Sequence, residues 1–143
     1  MSVSFLLKAH LIFMAVSFVI FTLSFAVGLI YLIEEFRLKN HKLPIGWLPS
    51  LSALDWVHYR VLVFGFFLLS VGIVMGAFLS KAIIGSFLTE DPRQIASLVI
   101  WSLYAFFLNA RLQVGWKGRR GMILSALGFL GILLAFVAIN HRI

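Results

Sequence analysis

Four long apolar stretches, separated by short polar segments, fill this 143-residue chain. A helical span of a bilayer needs about 20 apolar residues, and lipid does not tolerate unpaired backbone groups, so each stretch is predicted to be a helix. The predicted spans cover approximately residues 5–33, 58–80, 94–114 and 121–140. We therefore expect an all-α integral membrane protein whose whole length, residues 1–143, forms a single bundle of four transmembrane helices.

The third stretch is the least apolar of the four, but its sequence gives a clear signal for the start of a helix. It reaches residue 114 only if Asn109, Arg111 and Gln113 face other protein groups or extend to the membrane interface. At its beginning, Asp91 followed by Pro92 is typical of a helix N-terminus, where the carboxylate accepts hydrogen bonds from free backbone N–H groups. We therefore expect Asp91 to be a helix cap rather than a catalytic acid.

Composition narrows the function. Hydrophobic residues make up 62% of the chain and charged residues only 12%, which leaves no room for a separate soluble catalytic domain. Cysteine is absent, which excludes disulfides, thiolate nucleophiles and cysteine-bound iron–sulfur clusters. The predicted spans contain no Asp or Glu, which disfavours a proton-coupled carrier. We expect that the chain is not an enzyme by itself.

The net charge is +7, and we interpret the positions of the basic residues as an indicator of membrane topology rather than of nucleic-acid binding. Eight of the twelve Lys and Arg residues fall in the first and third loops, and four fall in the second loop and near the two termini. Cytoplasmic loops carry the excess of positive charge in membrane proteins. We therefore expect both termini and the second loop outside the cytoplasm, which for a bacterial inner (cytoplasmic) membrane is the periplasmic side.

Small residues recur at helical spacing in the second and fourth spans. Gly72 and Gly76 form a small-xxx-small pattern, and Gly121, Ser125 and Gly128 lie along the fourth span. Such positions allow helix backbones to approach closely. They predict packing within the bundle or a contact in a homo-oligomer, and the pattern leaves both open.

Two of the four histidines are expected on the same outer face. His10 lies near the outer end of the first span, and His141 lies about 30 Å along the fourth helix from Met122, at 1.5 Å per residue. Two neutral imidazoles at similar depth are what a bis-histidine haem site requires, although histidines at helix ends are also common without a ligand. The outer basic residues that could pair with haem propionates are Lys81, Arg93 and Arg142. His41 and His58 are expected to be a solvated loop residue and an interfacial residue.

Short motifs in a fixed order run along nearly the whole chain. The first span carries His10-Leu11-Ile12 and Tyr31-Leu32-Ile33-Glu34-Glu35. The first loop and second span carry Leu48-Pro49-Ser50-Leu51, Leu54-Asp55, Tyr59-Arg60, Gly65-Phe66 and Gly72-Ile73-Val74-Met75-Gly76-Ala77. The third span and third loop carry Trp101-Ser102-Leu103-Tyr104-Ala105, Ala110-Arg111-Leu112 and Gly115-Trp116-Lys117-Gly118-Arg119-Arg120. This series resembles the cytochrome c assembly family of haem-handling membrane proteins (the CcsA, CcmC and HemX-like proteins), and most closely its HemX-like branch.

The resemblance implies a non-covalently bound, b-type haem on the outer face. In the family, two external histidines flank a tryptophan-rich loop and ligate the haem iron, and His10 and His141 stand at the matching positions. Phe87 of the second loop is a candidate lid over the haem. The implied function is to hold or chaperone haem at the outer membrane face. The candidate partners are the lipid bilayer, other cytochrome c assembly or respiratory-complex subunits and a second copy of the chain, with no role for nucleic acid.

The chain departs from the family pattern at two places. The signature loop of the family reads roughly WGSYWSWDP, whereas residues 84–92 read IGSFLTEDP and have lost every tryptophan. Asn109 stands where relatives that move haem often carry a histidine within the membrane. Haem delivery and transport are therefore not carried over from the family. Two other functions remain open, a small b-type cytochrome of a respiratory complex and a haem-free accessory subunit.

Overall fold

The computed structural model describes residues 2–88, 90–113, 115 and 118–142, and of residues 139, 141 and 142 it describes the backbone alone. Within this part of the chain there are four α-helices, α1 (Val3–Lys39), α2 (Leu51–Ile84), α3 (Pro92–Gln113) and α4 (Arg119–Arg142). All four are long and apolar enough to cross a membrane. The expected all-α architecture of four membrane helices is confirmed.

The first two helices extend well beyond the apolar stretches that predicted them. With 37 and 34 residues, α1 and α2 are about 55 and 51 Å long, against a hydrocarbon thickness of about 30 Å. Most of the additional turns lie where the two helices meet the first loop, so Glu34 and Asp55 are helical residues. Of the predicted third span, residue 114 lies outside the described residues.

Local sequence signals set the helix ends. The Ser2 and Ser50 hydroxyls cap α1 and α2 by accepting hydrogen bonds from the N–H groups of Phe5 and Ala53, each at 3.2 Å. At the end of α2, Gly85 adopts a left-handed conformation with φ of 92°, which glycine tolerates best. An Asp91 carboxylate oxygen accepts a hydrogen bond from the Arg93 N–H at 2.9 Å, so the expected cap of α3 is confirmed.

The helices α1 and α2 form the most extensive pair, and α4 packs against both α1 and α3. The core between them is mainly aromatic and aliphatic. Phe21 of α1 stacks on Tyr104 of α3 with ring centroids 4.4 Å apart, and Phe25 stacks on Phe129 of α4 at 4.7 Å. These rings align α1 with α3 and α4 over the middle of the bundle.

The small residues of α2 face α1. A Cβ built on Gly72 would lie 2.7 Å from the Met14 sulfur, and one on Gly65 would lie 2.9 Å from Ile20 Cγ2. In α4, a Cβ on Gly128 would meet the Tyr104 ring at 3.5 Å. The small positions therefore pack within the bundle, which is one of the two interpretations that the sequence left open.

Candidate cofactor site

His10 projects from α1 onto the glycine face of α2. Its Nδ1 atom lies 2.8 Å from the carbonyl oxygen of Gly72, and the side chain is partly buried. A carbonyl oxygen can only accept a hydrogen bond, so Nδ1 carries the proton and donates. In the neutral ring, Nε2 then keeps its lone pair, which is the atom that a metal ion would use.

Gly76 provides the space for this imidazole ring. A Cβ at Gly76 would lie 2.8 Å from His10 Cε1 and 3.2 Å from His10 Nδ1. Any side chain at this position would therefore push the ring away from the helix. The glycines at 72 and 76 thus act together, since one supplies the hydrogen-bond acceptor and the other leaves room to reach it.

The axial level of His141 can be read from contacts lower in the bundle. A Cβ at Gly28 of α1 would lie 3.6 Å from the Met122 sulfur of α4, so these two positions face each other. From there His10 is 18 residues back along α1 and His141 is 19 residues forward along the antiparallel α4. At 1.5 Å per residue the two distances are about 27 and 29 Å, which corresponds to a similar level for two helices with parallel axes. The His141 side chain lies outside the described residues, so its role as a ligand stays a prediction.

The structure brings together two of the other predicted site residues. The Lys81 ammonium group lies 4.2 Å from the centre of the Phe87 ring, and Phe87 packs edge-on against Phe78 at 5.5 Å. The Phe87 carbonyl also accepts a hydrogen bond from the Gln94 side chain at 2.8 Å. Arg93 is exposed at the start of α3. The predicted Arg142 side chain lies outside the described residues.

His58 is not an interfacial residue, and this expectation was wrong. Its side chain is 0% exposed, and its Nε2 lies 2.8 Å from the Ser125 hydroxyl on α4. The Ser125 hydroxyl donates to the Met122 carbonyl at 3.2 Å, so Nε2 is the donor in the histidine–serine pair. Its Nδ1 is buried and has no hydrogen-bond partner among the described residues. Because the imidazole is enclosed by α1, α2 and α4, it could not reach a haem without opening the bundle.

A charged pair joins α2 to α3 at the opposite end of the bundle from His10. The Arg111 guanidinium donates to both carboxylate oxygens of Asp55, at 3.0 and 2.8 Å, and lies over the Tyr59 ring at 4.4 Å. The Gly118 N–H donates to the same carboxylate at 3.1 Å. The three motifs around Asp55, Arg111 and Gly118, separate in the sequence, therefore form a single cluster. Sequence reasoning missed this pairing, because 56 residues separate the two charges.

A second carboxylate fixes the first loop against the same end. Glu34 is 4% exposed, and one of its oxygens accepts a hydrogen bond from the Ile45 N–H at 3.3 Å. Its neighbour Glu35 forms an ion pair with Arg119 at the start of α4, at 3.8 Å. The first contact ties α1 to the loop that follows it, and the second ties α1 to α4, so polar groups hold this end of the bundle.

Comparison with known proteins identifies the family of this chain. The family model described as "Cytochrome C assembly protein" matches residues 2–142. Among curated proteins, the cytochrome c biogenesis protein CcsA of Gloeobacter violaceus is 38% identical over 89 residues, which are 62% of this chain and 26% of that protein. The CcsA protein of Prochlorococcus marinus is 34% identical over 111 residues, which are 78% of this chain and 35% of that protein.

The chain spans about a quarter to a third of the length of these CcsA relatives. No solved structure matches it. The relatives are CcsA proteins, so they do not support the narrower placement in the HemX-like branch. The family match over almost the whole chain and the four membrane helices agree with the motif series of the sequence. This chain is a multi-pass membrane protein that belongs to the cytochrome c assembly protein family.

Proposed function

We propose that this chain holds a b-type haem at the outer face of a bacterial cytoplasmic membrane, with His10 and His141 as the two axial ligands. The observation that carries the proposal is the hydrogen bond from His10 Nδ1 to the Gly72 carbonyl. Histidines that bind metals usually donate their other ring N–H to a carbonyl or carboxylate, which fixes the ring and leaves the second nitrogen for the metal. His10 meets this condition through its hydrogen bond to Gly72.

Two basic residues and one aromatic residue at this end of the bundle could bind other parts of a haem. When bound, haem would supply an iron with two axial positions and two propionate carboxylates. Lys81 and Arg93 are exposed cations that could pair with those carboxylates, and the exposed Phe87 ring could cover part of the macrocycle. The similar level that the helix rise gives for His10 and His141 supports their pairing across a single iron.

We also propose a role for this chain in cytochrome c assembly. The relatives are named as cytochrome c biogenesis proteins, and this chain corresponds to only part of their length. We therefore limit the proposal to holding haem, without an enzymatic step, in contact with other assembly subunits in the bilayer. The proposal also puts both termini outside the cytoplasm, which the positive charge of the first and third loops supports.

The test is the absorption spectrum of the protein purified in mild detergent after haem supplementation. The wild type should show a low-spin bis-histidine haem, and His10→Ala and His141→Ala should each lose that signal. His41→Ala is the matched control, because His41 lies in the exposed first loop. If the spectrum is unchanged in both variants at positions 10 and 141, the proposed ligands are wrong. A haem that quinol reduces rapidly would instead indicate an electron-transfer subunit.

A further inference from the structure

We propose that Gly76 is a positioning residue for His10, the proposed haem ligand. Because Gly76 has no side chain, the His10 ring can reach the carbonyl of Gly72. This inference rests on the proposed function, since it concerns how His10 is presented to iron. Gly76 itself would not touch the haem iron. It would act through the orientation and the tautomer of the imidazole.

The first step of the argument is steric. The hypothetical Cβ at Gly76 comes within 2.8 Å of His10 Cε1, which is closer than real Cβ contacts. The Cε1 and Nδ1 atoms of the ring are the nearest to this position, and a side chain at Gly76 would occupy the space that they use to approach α2. An alanine at 76 would therefore move the ring outward, together with the position of Nε2.

The second step concerns the hydrogen bond. In an α-helix the carbonyl of residue 72 points towards the N–H of residue 76, one turn later. A Cβ at 76 would therefore lie in the space through which the His10 ring approaches that carbonyl. His10 Nδ1 uses this opening at 2.8 Å, and the bond keeps the proton on Nδ1. Without it, the neutral ring would be free to carry its proton on Nε2 and lose the metal-binding lone pair.

The same helix offers a matched control. Gly65 also packs against α1, and a Cβ there would lie 2.9 Å from Ile20 Cγ2 and 3.2 Å from the Phe21 ring. The steric conflict at Gly65 is similar in size to that at Gly76, but it involves apolar side chains instead of His10. Gly65→Ala therefore reports how much haem is lost when the α1–α2 contact is loosened without a direct effect on the ligand.

The main experiment compares Gly76→Ala and Gly65→Ala in haem titrations and spectra. We expect haem affinity to fall about 10- to 100-fold in Gly76→Ala, the usual effect of losing a group that orients a metal ligand. The remaining haem should shift from low-spin to high-spin, while Gly65→Ala should keep the low-spin spectrum. If the two variants lose haem equally and keep the same spectrum, packing accounts for the effect and the positioning role is wrong.

A second arm uses added imidazole to separate this inference from the proposed function. His10→Gly removes the ligand but keeps the space beside Gly76, so imidazole should restore the low-spin spectrum. In the double variant His10→Gly with Gly76→Ala, the added Cβ narrows that space, and restoration should require more imidazole. If His10→Gly binds haem as the wild type does, the proposed function fails. If imidazole restores both variants equally, only the role of Gly76 fails.

A third measurement needs no haem. In haem-free protein labelled with 15N-histidine, the nitrogen shifts of His10 should show the proton on Nδ1 in the wild type and in Gly65→Ala. Gly76→Ala should show a mixture of both tautomers. An unchanged His10 tautomer in Gly76→Ala would overturn the proposed effect on the hydrogen bond.

Discussion

At the scale of single residues, the three histidines with described side chains have three different environments. His41 is exposed in the first loop, with φ of 60°, and His10, near the start of α1, donates to the Gly72 carbonyl of α2. His58 is enclosed in the bundle and pairs with Ser125. The residue type is the same in each case, so the neighbours decide which ring nitrogen is available. Among these three, only His10 combines a fixed tautomer with a position at the periphery of the bundle.

His58→Ala tests the assignment of that residue to the core. The substitution removes a fully buried ring, leaves a cavity and takes away the partner of Ser125, so we expect a loss of about 2–5 kcal/mol in the free energy of unfolding. Denaturation in detergent measures this loss, and His41→Ala should change stability by less than about 0.5 kcal/mol. Where His58→Ala protein still folds, it should keep the bis-histidine spectrum. A selective loss of that spectrum in stable protein would instead make His58 a ligand.

At the scale of the helices, two different contacts fix α2 to its neighbours. Towards its C-terminal end, glycines bring α1 close enough for a side chain to reach the backbone of α2. Towards its N-terminal end, Asp55 holds Arg111 of α3 and the turn that precedes α4. The Asp55–Arg111 pair also explains why α3 reaches its predicted length, since Arg111 is buried against protein rather than exposed to lipid.

Asp55→Ala should destabilise the protein strongly. Removing one partner leaves the Arg111 charge buried without compensation, which costs about 3–5 kcal/mol in measured cases. Combining Asp55→Ala with Arg111→Leu removes both charges and should recover much of that loss. Detergent denaturation of the two variants beside the wild type measures this difference. If the double variant were no more stable than Asp55→Ala alone, the pair would not be the cause of the loss.

At the scale of the whole molecule, the two ends of the bundle differ in chemistry. The end at the first and third loops holds the buried Asp55–Arg111 and Glu34 contacts, and the end at the second loop holds His10 and the Lys81–Phe87 contact. Eight of the twelve Lys and Arg residues belong to the first of these ends. The proposed cofactor end is therefore the less basic one, as expected for the side away from the cytoplasm.

The orientation can be tested directly because the chain has no cysteine. Ser86→Cys, in the exposed second loop, should react with a membrane-impermeant maleimide added to intact spheroplasts. Asn40→Cys, in the exposed first loop, should react only after the membrane is permeabilised. The reverse pattern would place the second loop in the cytoplasm and overturn the outer location of the proposed haem.

The sequence by itself determined the number of helices, the cap of α3 and the unequal distribution of charge. Each of these depends on residues close together in the chain, because an apolar run of sufficient length must be helical in lipid and a cap involves only one helical turn. The tertiary structure decided which polar groups meet. His10 and Gly72, Asp55 and Arg111, and His58 and Ser125 are 62, 56 and 67 residues apart. Their contacts depend on the rotation of each helix about its own axis, and that rotation is set by packing between helices rather than by any local pattern. The sequence therefore identified His10 only as a candidate ligand. The fold showed that the Gly72 carbonyl fixes the tautomer of its ring.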